Sequence, residues 1–220
     1  MPITVSRLIR SKRRTIALIV ERDGSVTVRA PLKMSVKAIE EFVVKHAEWV
    51  EKKQAEVAAI LPEKVRQYEE GECFLFLGQE YPLEIVRSNK KLVLEDSFQL
   101  AESEKENAEV IFRHWYRKQA SRIIGERVAL FAEQYQLPVG TIRITSARTR
   151  WGSCSPKNNL SFSWRLVMTP LDVIDYVVIH ELAHTIHHNH SKRFWKLVEK
   201  WMPDFKVKRN QLRKYGQEAI

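Results

Sequence analysis

Hydrophobic and polar positions alternate with a period of two near the start of the chain. Thr15–Val20 and Ser25–Arg29 are β-branched runs separated by Asp23-Gly24, a pair that favours a tight hairpin turn. Ala30-Pro31 closes that unit. The period then changes: Ile39, Phe42, Val43, Ala47 and Val50 recur at steps of three and four. That spacing predicts one long helix over roughly 35–60, stopped by Pro62. Alternation returns at Cys73–Leu77 and Tyr81–Arg87, which flank Gly78-Gln79 and read as a second hairpin, and Lys91–Leu94 adds a strand. The polar run Ala101–Asn107 is the best place for a boundary.

A second long helix follows, roughly 108–135, and ends before Leu137-Pro138. Thr141–Thr145 and Leu160–Trp164 read as short strands, with a turn rich in small and aromatic residues at Arg148–Ser155 between them. The next helix has the strongest start signal in the chain: Thr169 as cap, Pro170 in the first helical position, Asp172 where a capping box wants an acid. Leu171, Ile174, Val178, Leu182 and Ile186 share one of its faces. A last helix runs from Ser191 to Met202, where Pro203 ends it. The elements together give an α+β fold. Residues 1–102 form a β-rich N-terminal region with a long helix, and residues 103–220 a helical C-terminal region with a short sheet; the two also fit one continuous domain.

Composition narrows the class. Hydrophobic residues make up 44% of 220, enough for a real core, and 7 Gly with 8 Pro exclude a collagen-like or low-complexity chain. Cys73 and Cys154 lie far apart, too few for a disulfide framework or a four-cysteine zinc site, so a reducing, cytoplasmic setting is expected. The apolar run Ile16–Val20 is shorter than the core of a secretory signal, and nothing approaches the ~20 apolar residues of a membrane span. Net charge is +10, concentrated in residues 1–37 and 191–215. Such ends suit nucleic acid or an acidic partner, or simply form a solvated surface.

The chemistry concentrates in His180-Glu181-Leu182-Ala183-His184, the HExxH pattern, on the well-started helix. With 7 His in the chain, the expected number of accidental matches is about 0.02. His180 and His184 stand one turn apart and differ by only ~40° around the helix, so both imidazoles can reach one metal ion. Glu181 points aside, placed to miss the metal but touch a water bound to it. A zinc site of catalytic type takes three protein ligands plus water. His188 would extend the same stripe, but three ligands one turn apart span ~12 Å, too far for one ion. The third ligand therefore follows a reversal of the chain. Asn189 tolerates a left-handed conformation and Ser191 caps the next helix, which favours His190; Glu199 on that helix is the alternative. The count HExxH-x5-His matches the metzincins, except that His187 occupies the metzincin glycine position.

Arg150-Trp151-Gly152-Ser153-Cys154-Ser155, Leu160-Ser161-Phe162-Ser163-Trp164-Arg165-Leu166, the HExxH run, Asn189-His190-Ser191 and Phe194-Trp195 together resemble the YgjP-like metallopeptidases, small zincins similar to the WLM and SprT-like groups. The resemblance extends to Asp23-Gly24, Ala30-Pro31 and the helix around Trp49. It implies a cytoplasmic, zinc-dependent peptidase with a zincin-like C-terminal half, the Zn2+ on His180, His184 and His190, and Glu181 as general base.

On that chemistry, metal-bound water activated by Glu181 attacks a peptide carbonyl. Arg165, Tyr176 and His187 are all conceivable donors to the oxyanion. Trp151, Gly152 and Ser153 have two readings. They form the edge of a cleft where an extended peptide pairs, with Trp151 as a wall, or a tight turn with Trp151 in the core. Two rival functions remain. Arg148, Arg150 and Arg165 suit a metal-dependent hydrolase of phosphoanhydrides, and the basic surface suits a peptidase module recruited to nucleic acid. His46, His114, Trp195, Trp201 and Phe205 read as structural.

Overall fold

The computed structural model describes residues 3–21, 24–59 and 66–218. Its contacts divide the chain into two units, residues 1–64 and 65–220. The architecture is mixed α+β, with three small sheets and six α-helices among the described residues.

The first unit holds β1 (Val5–Ser11), β2 (Ala17–Val20) and β3 (Val26–Pro31) in the order β1-β3-β2. The expected hairpin is there: β2 and β3 are antiparallel, with Ala17 opposite Arg29 and Val20 opposite Val26. Gly24 takes φ +78° in its turn, while Asp23 lies outside the described residues. β1 has no clean alternation and escapes sequence reading. It runs parallel to β3, and Arg10 ties the strand ends by donating from Nη1 to the carbonyls of Pro31, Leu32 and Met34. The long helix expected here is two, α1 (Val36–Lys45) and α2 (Ala47–Ala59); Ile60 and Pro62 lie outside the described residues. The break has a local cause at His46. Its imidazole Nδ1 lies 2.8 Å from the Phe42 carbonyl that its own N–H would use in a continuous helix, and that N–H bonds to Val43 instead. Ser35 caps α1 by accepting from the Ala38 N–H. Val28 and Ala30 of β3 pack against Ile39 and Val43 of α1.

The second unit opens with β4 (Cys73–Phe76), β5 (Gln79–Val86), β6 (Leu92–Leu94) and β7 (Phe98–Ala101), in the order β4-β5-β7-β6. β4 and β5 form the expected hairpin with its turn one residue earlier than Gly78-Gln79: Leu77 and Gly78 are the turn residues, both at positive φ as a two-residue turn between twisted strands requires. Residues 101–107, where a boundary is expected, fall inside this unit as the end of β7 and a 3-10 turn. They lead into α3 (Ala108–Gln134), whose Phe112, Tyr116, Ile124 and Val128 share one core with Phe98 and Leu100 of β7. The second sheet is β8 (Ile142–Thr145), β9 (Gly152–Cys154) and β10 (Leu160–Ser163), in the order β8-β10-β9. The stretch expected as a turn thus contains β9, antiparallel to β10 and at the sheet's edge.

Three helices finish the chain: α4 (Leu171–Ala183), α5 (Lys192–Trp201) and α6 (Phe205–Glu218). The capping box expected for α4 is not formed. The Thr169 hydroxyl donates to the Leu166 carbonyl of the preceding 3-10 turn (2.9 Å), and Pro170 takes the cap position with no side-chain cap bond. Of the five residues expected on one buried face, Ile174, Val178 and Leu182 are buried, while Leu171 and Ile186 are exposed. Arg127 of α3 grips Asp175 of α4 through two bonds of 2.5 and 2.7 Å. Among the described residues no helix is long and apolar enough to cross a membrane.

The β4–β5 turn fixes where α4 begins. Leu77 and Gly78 donate their N–H groups to the carbonyls of Val167 and Met168, at 2.8 and 3.1 Å. A Cβ on Gly78, already at φ +80°, would lie 2.5 Å from Pro170 Cγ. Gly78→Ala therefore combines backbone strain with overpacking, and is expected to lower unfolding free energy by at least about 2 kcal/mol in urea titrations. Gly125→Ala, in the middle of α3 with open space around it, should instead raise it by about 0.5–1 kcal/mol.

Candidate metal centre

Nine of the thirteen residues of α4 are buried, so His180 and Glu181 near its C-terminal end are held by a rigid wall. His180 sits on its last full turn and His184 is its C-cap. The Thr185, Ile186 and His187 N–H groups then bond back to Leu182 and Ala183, closing the helix. The reversal that follows does not use a left-handed Asn189, which keeps out of the positive-φ region. The Asn189 side chain makes the turn instead, its Oδ1 accepting the Ser191 N–H at 3.2 Å. Ser191 caps α5 by accepting the Phe194 N–H.

This path brings His190 back over α4. Its Nε2 lies 3.1 Å from His180 Nε2 and 3.2 Å from His184 Nε2, and one nitrogen from each ring falls within 4.8 Å of the others. The donor set suits a cation. His184 Nδ1 is 2.9 Å from the His187 carbonyl, which can only accept, so the proton is on Nδ1 and Nε2 presents a bare lone pair to the cluster. His180 Nδ1 is buried with no hydrogen-bond partner. Burial lowers both rings' basicity, with the neighbouring imidazoles adding to it, and His180 is pushed down to about 3. Neutral imidazoles are the form that ligates a metal.

An aromatic floor supports the three rings. Phe194 is fully buried, and its ring centroid is 5.0, 4.4 and 4.9 Å from those of His180, His184 and His190, stacked on His184. Trp195 stacks on His190 at 5.6 Å, Phe205 stacks on Trp195, and the Arg209 guanidinium lies 5.0 Å over Trp195. Helical spacing alone assigns Trp195 and Phe205 to generic packing. The signal for Phe194 was its position: three residues past a capping serine that itself follows the third histidine.

Glu181 faces the other way, toward β9. A Cβ on Gly152 would lie 2.6 Å from Glu181 Oε1, so the strand passes directly over the carboxyl and only glycine leaves it room. The carboxyl is 6% exposed, and burial pushes its pKa up to about 8 against the opposing charge of Arg150. A buried carboxyl titrating near neutrality is suited to taking and returning a proton.

The other residues singled out by sequence scatter in role. Ser153 pairs with Ser161 in the β9–β10 ladder, and Trp151 is half-buried against the main core. Arg165 is buried, donating from Nη1 to the Ser146 carbonyl at 3.4 Å and lying 4.4 Å over the Trp164 ring. Tyr176, one turn before His180, is buried with its ring 6.0 Å from that imidazole. Glu199, the alternative third ligand, is not in the cluster: it is half-exposed and pairs with Lys206 at 3.6 Å. Burial, with Glu181 nearby, pushes the Cys154 thiol up, away from nucleophilic thiolate.

No curated protein matches the chain. Among solved structures, the crystal structure of the metallopeptidase zymogen of Pyrococcus abyssi abylysin is similar at 25% identity, over 46% of this chain and 91% of that one, with a TM-score of 0.34. A family model, YgjP-like, metallopeptidase domain, matches residues 14–215, and on that match the chain belongs to the YgjP-like metallopeptidase family.

Proposed function

We propose that this protein is a zinc-dependent peptidase in which His180, His184 and His190 hold the metal and Glu181 moves the proton. The observation that carries the reading is the convergence of three imidazole nitrogens, 3.1–3.2 Å between neighbours, one residue from a buried carboxyl. Three imidazole donors in reach of one point suit zinc. A zinc ion there supplies a Lewis acid that polarises a carbonyl and acidifies water.

The chain's own groups do the rest. The Glu181 carboxylate takes a proton from the attacking water and returns it to the departing amide nitrogen. Arg150 biases that carboxyl toward its ionised form. The edge position of β9 leaves its outer side available for an extended peptide to pair with, in the manner of strand addition, with Gly152 and Ser153 on that strand. Arg165, held by Ser146 and Trp164, stands as a brace of the 3-10 turn before α4, which weakens the case for a phosphoanhydride substrate. Two free cysteines, Cys73 and Cys154, accord with a reducing, cytoplasmic setting.

Glu181→Gln should keep one equivalent of zinc by elemental analysis while cleavage of an unfolded protein such as reduced casein falls by about 10²–10⁴-fold. Full activity in that variant would remove Glu181 from the mechanism, and phosphate release from ATP without proteolysis would replace the substrate class. His190→Ala should abolish zinc retention in chelator competition, and Glu199→Gln should leave it unchanged. Phe194→Leu, which keeps the apolar volume but loses the flat support under three rings, should weaken zinc binding by roughly 10–100-fold with apo-protein folding preserved by circular dichroism.

A further inference from the structure

Beside the third histidine lies an open cleft of about 530 Å³. It is walled by residues on both sides of His190 in the chain: Ile186, His187 and His188 before it, Ser191, Lys192 and Arg193 after it. No acidic side chain lines it. Lys192 and Arg193 are exposed and enter no ion pair among the described residues. They also stand in the first turn of α5, whose free N–H groups add positive potential of their own. Ile186, 47% exposed after α4 has ended, contributes an apolar patch to the same wall. Positive charge also gathers around the metal centre: Arg150 acts on Glu181, Arg209 on His180 and Tyr176, and Arg213 on Tyr176. The nearest carboxyl on α5, Glu199, is neutralised by Lys206.

We infer that this cleft is a specificity subsite that receives an acidic side chain of the substrate polypeptide, so that the centre prefers segments rich in aspartate and glutamate. The inference rests on the peptidase reading above. It follows from charge complementarity between an incoming segment and an open cleft whose walls carry one sign of charge and flank the third histidine in the chain. The fixed charges of Lys192 and Arg193 carry the attraction, the imidazole N–H groups of His187 and His188 are further donors, and Ile186 covers the stem of the acidic side chain.

The test measures binding in the Glu181→Gln protein loaded with zinc, so that it does not depend on turnover. Fluorescence anisotropy follows a labelled ten-residue peptide of alternating Asp and Ala and its counterpart with Asn in place of Asp. The Asp peptide should bind at least about tenfold more tightly at 50 mM salt, and the advantage should shrink at 300 mM. Adding Lys192→Glu and Arg193→Glu should erase the preference with zinc content unchanged; acids at those positions favour the helix start, so folding is retained. Lys105→Glu with Lys118→Glu, the same change in net charge made on exposed residues elsewhere, should leave the preference intact. Equal binding of the two peptides, equal effects of the two charge reversals, or displacement of the Asp peptide by a single-stranded oligonucleotide at lower concentration than by itself unlabelled would each overturn the subsite. Cleavage by the wild type is scored separately: proteolysis without acidic preference sinks the subsite alone, whereas acidic binding without any proteolysis sinks the peptidase reading.

Discussion

The structure turns on a conflict inside α4. A helix buried over most of its surface excludes water, and burial of a charge is costly without a partner. Yet this helix carries two imidazoles and a carboxyl at one end. Burial answers by shifting those groups toward their uncharged forms: His180 is driven far below its ordinary range, and Glu181 is driven up to about 8 against the pull of Arg150. Neutral imidazoles have lone pairs to give, and a carboxyl with a pKa of about 8 can both take and return a proton at mildly basic pH. The same desolvation that threatens stability therefore gives these groups the proton affinities that the proposed hydrolysis would need.

Holding the groups in place falls to elements distant in sequence. The β4–β5 turn sets the start of α4, Arg127 of α3 clamps it through Asp175, and β9 closes over Glu181. α5 brings the floor, Phe194, under the rings and sets Trp195 against His190. Because the third histidine arrives on a turn rather than on a helix, it has less intrinsic rigidity than the other two. Its stacking on Trp195 and its contact with Phe194 supply what the turn lacks.

The parts of this site readable from sequence are those fixed by local periodicity. Two histidines four apart on an apolar helix share a face whatever surrounds them, and a third held between that helix and a Ser-capped restart has few places to go. The hairpin at Gly78 is legible for the same reason. What escaped depends on tertiary competition. Thr169 has a cap-forming neighbourhood, but the carbonyl of Leu166 in the preceding turn takes its hydroxyl. Asn189 reverses the chain with its side chain rather than its backbone. His46 breaks a strongly periodic helix by occupying a carbonyl that periodicity cannot see. β1 pairs in parallel with a strand reached after a crossover, so no adjacent turn announces it.

Gly152 shows how a fold and a mechanism can share one constraint. Its neighbours are ladder-paired residues of a short edge strand, a setting in which a β-branched residue would pack better than glycine. The loss is offset by proximity. With no Cβ, the strand backbone approaches Glu181 closely enough to shield its carboxyl from water, and that shielding raises its pKa. A side chain at this position would push the Glu181 carboxyl aside or lift the strand off it, and water reaching the carboxyl would return it toward an ordinary carboxylate. The edge that a peptide would pair with and the acidity of the group that would move its proton are thus set by the absence of the same atom.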